Sequence, residues 1–257
     1  GTSTMTSMPK GRILLSVTGY NPRRWHELLS AEREVVTEPD GAADPSITYA
    51  VVWKHRPGVL STLPNLRATF SIGAGVDHIF ADPDVPDVPI VRVVADNLTQ
   101  YMTEYVVWRV LDHQRQGMTY RAQQARKVWH EPPQPAATDV AVGIMGLGQL
   151  GRAAAAALLA LGFRVNGWTR TPRPMEGVTC FDGSEGLPAF LAATDILVVL
   201  LPYTPSTEGI VDHALLRGLR RDNGLGGAFL INAGRGKLQK EADILRALDD
   251  GTLMEAS

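Results

Sequence analysis

The chain has 257 residues, a formal net charge of -2 at pH 7, and an ordinary composition that is 44% hydrophobic and 20% charged. That length buries a sizeable core and suits one large or two ordinary domains, while the charge balance leaves no basic excess for nucleic acid or an anionic membrane surface. The one cysteine, Cys180, excludes an intrachain disulfide and a cysteine metal cluster, and no metal site is expected. No apolar run approaches the roughly 20 residues of a membrane span. The polar start lacks a signal-peptide core, and Gly1-Thr2-Ser3-Thr4 ahead of Met5 reads as an expression remnant. The expected compartment is the reducing cytoplasm.

In chain order, residues 13–17, 48–53, 68–72 and 90–94 are short β-like runs. A helix-like segment at 23–29 and a turn-rich piece at 82–87 lie between them. Alternation of this kind predicts a small α/β domain with a parallel sheet. Residues 98–126 read as one long helix. Its Tyr101, Tyr105, Trp108 and Leu111 recur near helical spacing and are expected in the core. Pro132, Pro133 and Pro135 then break the chain. The second half is a β/α series with strands at 140–145, 163–168, 195–201 and 228–231. Helices are expected at 152–161, 187–193, 212–219 and 240–250.

Gly146, Gly148 and Gly151 fall between the buried strand at 140–145 and the Ala/Leu-rich helix after it. In this spacing the first glycine allows a tight turn, the second lets backbone approach a diphosphate, and the third lets helix pack on strand. The diphosphate then meets free N–H groups at a helix start. Strand, turn and helix together predict dinucleotide binding. The next strand ends at Thr169, where NAD-selective sites place a carboxylate for the ribose 2′-hydroxyl. Here Arg170, Thr171 and Arg173 follow instead, and guanidinium groups suit a 2′-phosphate. The expected cofactor is NADP(H), with NAD(H) as the weaker alternative.

Two further stretches suit an anionic small molecule. Ser71-Ile72-Gly73-Ala74-Gly75-Val76-Asp77-His78 is a small-residue turn after a strand, able to present backbone N–H groups to a carboxylate. Asn232-Ala233-Gly234-Arg235-Gly236 sets an arginine between glycines after a buried strand, and its planar fork matches a carboxylate or polarises a carbonyl.

These motifs, SIGAGVDHI from Ser71, TEYVVWRVL from Thr103, VGIMGLGQLG from Val142, LLPYTPSTEGIV from Leu200 and INAGRG from Ile231, occur in order over nearly the whole chain. On them the sequence resembles the D-isomer-specific 2-hydroxyacid dehydrogenase family, most closely its glyoxylate/hydroxypyruvate reductase A branch. The resemblance implies two doubly wound parallel-sheet domains, a flavodoxin-like substrate domain over residues 8–98 and a Rossmann dinucleotide-binding domain over 99–257. It implies NADPH-dependent reduction of a small 2-keto acid and a homodimer held mainly by the nucleotide domain.

Carried over by motif, Arg235 is the catalytic arginine that binds the substrate's carboxylate and keto oxygen. The amides of Ala74 and Gly75 hold the carboxylate, and Trp53 lies near substrate. Met102, beside Thr103, faces the nicotinamide, as do Ala233 and Gly236. Gln149 and Leu150 complete the diphosphate turn, and Leu201 and Pro202 begin the loop past the adenosine and ribose. The family's general acid/base pair, a glutamate and a histidine, belongs to motifs that follow Ser257, so little turnover is expected of the chain as written. His78 is the histidine nearest the carboxylate loop, and a solvated or packed role is expected for it. A dinucleotide-sensing module without catalysis is the alternative function, and formate or phosphonate oxidation a weaker one.

Overall fold

The computed structural model describes residues 10–38 and 40–257. The expected expression remnant at residues 1–4 lies outside them, as do residues 8 and 9 of the expected first domain. The chain divides into two compact units, the first ending at Val94 and the second running from Ala95 to Ser257.

The first unit alternates β1 (Arg12–Val17), α1 (Arg23–Ser30), β2 (Val35–Thr37), β3 (Ile47–Trp53), β4 (Ala68–Ser71), α2 (Asp77–Phe80) and β5 (Ile90–Val91). Every strand pair is parallel, in the order β2-β1-β3-β4-β5. Leu14, Ile47, Ala50, Val52, Leu60 and Ile79 fill the core and are fully buried. The strand order reverses between β1 and β3. In open α/β sheets that switch point opens a crevice at the carboxyl ends of the strands. Trp53 ends β3 there.

The second unit begins with α3 (Asp96–Gln114) and α4 (Gly117–Ala125). It continues through β6 (Ala141–Met145), α5 (Gln149–Ala160), β7 (Arg164–Thr169), β8 (Val178–Asp182), α6 (Gly183–Ala192), β9 (Ile196–Val199), α7 (His213–Arg217), β10 (Ala228–Asn232), α8 (Glu241–Asp249) and β11 (Leu253–Ala256). Its parallel sheet runs β11-β10-β9-β6-β7-β8, the doubly wound order of dinucleotide-binding domains, with the switch point between β6 and β9. All residues of β6 and β9 are buried, because helices cover both faces of a central parallel strand. Asp195 is 1% exposed just ahead of β9. It accepts Arg220 Nε and Nη2 at 2.7 Å each and the Ala141 amide at 2.8 Å, so its buried charge is paired.

Two expectations need correction. The single helix over 98–126 is interrupted, because Gln116 takes a left-handed conformation (φ 58) between α3 and α4. The proline-rich stretch that follows α4 supplies the partners: Gln114 Nε2 donates to Pro135 O, Gln116 Nε2 to Pro133 O, and Gln134 Nε2 to Arg115 O. The aromatic stripe is also not core. Tyr101 and Trp108 are 63% and 57% exposed, whereas Val106, Val110 and His113 form the buried face of α3. Tyr105 and Leu111 pack only partly against that core. A stripe at helical spacing marks one face, and here the buried face is its neighbour.

Candidate active site

The glycine turn explains itself by what a side chain would meet. Gly146 sits at φ +102, and a Cβ there would lie 2.8 Å from Leu200 O, across the switch point. A Cβ on Gly151 would lie 1.9 Å from Gly146 O, so the first turn of α5 packs on the turn without clearance. Gly148 differs. Its Cβ would meet no atom within 4 Å, and it begins the helix without any side-chain cap. The first N–H groups of a helix have no intrahelical partner. An open side beside uncapped amides at the positive end of a helix fits a diphosphate.

Gln149 Nε2 donates to Thr99 Oγ1 at 3.2 Å, which ties the glycine turn to the start of α3. Met102 and Thr103 lie in the next turn of that helix, both half-buried, with Thr103 Oγ1 donating to Thr99 O at 2.8 Å. Leu150 is half-buried one residue before Gly151. Leu201 is buried and Pro202 exposed where the chain leaves β9.

At the end of β7, Thr169 Oγ1 donates to Thr171 O at 2.6 Å and folds the following loop. Arg170, Thr171 and Arg173 are all exposed. Neither guanidinium has a hydrogen bond or ion pair with the described residues. Thr169 stands in register with Asp182 at the end of β8. Arg152, in the first turn of α5, donates to Pro174 O at 3.3 Å and anchors the loop. The motif reading passed over Arg152 because its role depends on a carbonyl 22 residues away.

Beyond β10, Asn232 organises the arginine turn from within. Its Nδ2 donates to Arg235 O at 3.0 Å and to Gln239 Oε1 at 3.1 Å, and its Oδ1 accepts Gly234 N–H at 3.2 Å. Arg235 is half-buried, and its Nη1 donates to Gly234 O at 3.2 Å. Ala233 is held to β9 through its amide on Val199 O at 3.0 Å. A Cβ on Gly236 would meet nothing within 4 Å, so that side of the turn is also open.

In the first unit, Trp53 lies at the switch point with Tyr20 edge-on at 5.9 Å and the His78 ring at 4.4 Å. Tyr20, from the loop after β1, was invisible to motif reading because the packing crosses strands. The turn after β4 passes directly over the indole, since a Cβ on Gly73 would lie 2.6 Å from Trp53 Cζ3. The amides of Ala74 and Gly75 donate to no described residue. Such unspent, adjacent donors suit a carboxylate.

His55, His113 and His213 each pair with a carboxylate. His55 Nε2 meets Asp82 Oδ2 at 2.9 Å, His113 Nδ1 meets Glu255 Oε2 at 2.7 Å, and His213 Nε2 meets Asp250 Oδ2 at 2.6 Å. Burial opposes charge on Asp82, but hydrogen bonds from His55 and from the Asp84 and Gly58 amides hold its carboxyl below the usual range. Asp250 is held lower still, by Thr252 first and then by His213. Among the described residues no group of three or more His, Cys, Asp or Glu side chains could hold a metal. No helix among them is long and apolar enough to cross a membrane.

The two sheet orders, the glycine turn and the Asn232–Arg235 turn together define a two-unit nucleotide-dependent dehydrogenase. The NAD-binding domain of D-isomer specific 2-hydroxyacid dehydrogenases matches residues 107–257, and the chain belongs to that family. It is 38% identical over 216 residues to glyoxylate/hydroxypyruvate reductase A of Yersinia enterocolitica, covering 81% of this chain and 67% of that one. It superposes with a TM-score of 0.89 at 44% identity on the NADPH-dependent glyoxylate/hydroxypyruvate reductase of Sinorhizobium meliloti, solved with NADP and sulfate. That match covers 96% of this chain and 80% of the other. A probable 2-hydroxyacid dehydrogenase of Rhizobium etli, solved with NADP, HEPES and L(+)-tartaric acid, gives 0.87 at 42% identity with the same coverages.

Proposed function

We propose that this chain is an NADPH-preferring reductase of small 2-keto acids such as glyoxylate and hydroxypyruvate. The observation that carries the reading is the open side of Gly148 at the uncapped start of α5, in a chain so similar to a reductase and a probable 2-hydroxyacid dehydrogenase solved with NADP. The names of those relatives favour catalysis over a sensing module without chemistry.

The residues divide the work by charge. Gly146, Gly148, Gln149, Leu150 and Gly151 shape the diphosphate turn, while Arg170, Thr171 and Arg173 provide the 2′-phosphate contacts. Met102, Ala233 and Gly236 line the nicotinamide, and Leu201 and Pro202 the adenosine and ribose. The bound cofactor supplies a hydride. Ala74 and Gly75 amides take the keto acid's carboxylate beside Trp53. Arg235 orients the substrate and draws negative charge onto the keto oxygen, an effect worth most where water is excluded. The alkoxide must then gain a proton, and general acids contribute about 10²–10⁴-fold.

The reading extends to assembly and compartment. Trp129 is fully exposed and Tyr101, Trp108, Met118 and Val128 are largely so. An apolar surface on α3, α4 and the segment after them suits a second copy of the chain. A cytoplasmic setting keeps both NADPH and the free thiol of Cys180 reduced.

The test is NADPH oxidation driven by glyoxylate or hydroxypyruvate in the full-length enzyme, parent against Arg235→Lys. Lysine keeps the charge and loses the planar fork. Turnover is expected to collapse while NADPH binding persists, and unchanged turnover removes Arg235 from its role.

A further inference from the structure

We propose that Ser71 and His78 are positioning residues for substrate capture. In this arrangement a neutral His78 holds the Ser71 hydroxyl, and the hydroxyl shapes the turn that offers the Ala74 and Gly75 amides to a carboxylate. The proposal rests on the reductase reading above and adds two residues to it.

The proton positions follow from the geometry. Lys54 N–H donates to His78 Nδ1 at 3.1 Å. A main-chain N–H cannot accept, so Nδ1 carries the lone pair and the ring proton lies on Nε2. That Nε2–H faces Ser71 Oγ at 2.9 Å. The same oxygen accepts Gly73 N–H at 3.2 Å and gives its own proton to Gly75 O at 2.9 Å. A serine hydroxyl has one proton and two lone pairs, and Ser71, 4% exposed, uses all three.

The consequence for the turn is electrostatic. The Gly75 carbonyl is drawn inward onto Ser71, away from the side where an anionic ligand would meet its negative end. The Gly73 amide is spent, while the amides of Ala74 and Gly75 donate to no described residue. Were Ser71 unable to hold the carbonyl, the peptide could rotate and set an oxygen where the carboxylate needs a donor. The other end of the relay is also constrained. Lys54 is a non-glycine residue at φ 47, a conformation that persists only where its surroundings enforce it. The His78 bond to its amide and the packing of that ring on Trp53 supply the enforcement. His78 thereby links the end of β3 to the turn after β4.

The experiment compares Ser71→Ala, His78→Leu, His78→Gln and the Ser71→Ala/His78→Leu double variant in the full-length enzyme. It measures KM and kcat for glyoxylate, oxalate binding to the NADPH complex, and NADPH affinity. Losing a buried hydrogen-bond partner is expected to raise KM and the oxalate Kd about tenfold in Ser71→Ala and His78→Leu. Affinity for NADPH is expected to hold, and kcat to change far less than KM. The double variant should be little worse than either single one, as for residues acting in one chain. His78→Gln, whose amide reaches toward Ser71, should recover much of the loss. Nitrogen NMR of the parent should show His78 protonated at Nε2 alone. Unchanged KM and oxalate binding in Ser71→Ala, or a proton on Nδ1, overturns the assignment while leaving the reductase reading intact. A parent that binds NADPH but neither binds oxalate nor reduces any 2-keto acid overturns that reading, and this assignment with it.

Discussion

Alanine at Gly148 and alanine at Gly151 are expected to fail in opposite ways. At Gly151 the new methyl carbon would stand 1.9 Å from Gly146 O, and because that atom is backbone the whole turn must shift. Overpacking of this kind costs about 1–3 kcal/mol, and in a unit of this size each kcal/mol lowers Tm by roughly 2–4 °C. The melting point should therefore fall by several degrees. At Gly148 the methyl meets nothing within 4 Å, and the backbone is extended (φ -73, ψ -164) rather than left-handed. Its folded state is open to alanine, so Tm should stay level or rise slightly, since alanine restricts the unfolded chain more than glycine does. The methyl would instead occupy the side where the diphosphate approaches. Losing one charge-assisted contact is worth about 1.5–3 kcal/mol, or roughly ten- to a hundred-fold in NADPH affinity. Differential scanning calorimetry and NADPH fluorescence titration separate the two outcomes. A Gly148→Ala variant that binds NADPH like the parent would refute the placement of the diphosphate.

Other outcomes follow from single contacts. Arg170→Ala should weaken NADPH binding about ten- to a hundred-fold and NADH binding little, and equal affinity of the parent for both cofactors would sink the 2′-phosphate role. Trp108→Glu puts a charge on the exposed face of α3, so light scattering should shift from dimer toward monomer; a parent already monomeric at micromolar concentration contradicts the assembly. Asp82, 1% exposed, has its carboxyl pKa lowered by folding. A lowered folded value stabilises above the unfolded pKa of about 3.9 and loses that contribution as pH falls through the folded value. The Tm advantage of the parent over Asp82→Asn should thus shrink as pH falls below about 4, and a gap indifferent to acid there would reject this account.

The parallel architecture was legible because central strands are buried on both faces. The stretch around β6 reads as an unbroken apolar run, and so does that around β9. Three edge strands were not legible. β8 alternates half-buried Val178 and Cys180 with exposed Thr179, β2 spans three residues, and β11 follows buried Leu253 with exposed Met254. Short strands with a wet face carry little periodic signal. The break at Gln116 was hidden for another reason: the prolines that stabilise it lie beyond α4. In the candidate site, the glycine spacing was readable because it constrains backbone within one turn. The Ser71 hub and the Asn232 clamp lie inside recognisable motifs, yet their roles depend on which way carbonyls point. No spacing rule records that.

The His113–Glu255 contact has a consequence for how the second unit is made. The two residues are 142 positions apart, and the His113 side chain is fully buried. During synthesis at roughly 5–20 residues per second, His113 emerges about 7–30 s before its partner exists. Through that interval α3 can dock against α5, but its buried polar ring has no carboxylate to meet. β11 also pairs only with β10, itself late in the chain. The pairing of β11 with β10 and the pairing of His113 with Glu255 are therefore one event. A second unit cut short before Glu255 should be one that proteases still cut in α3, whereas a unit that includes Glu255 should resist them.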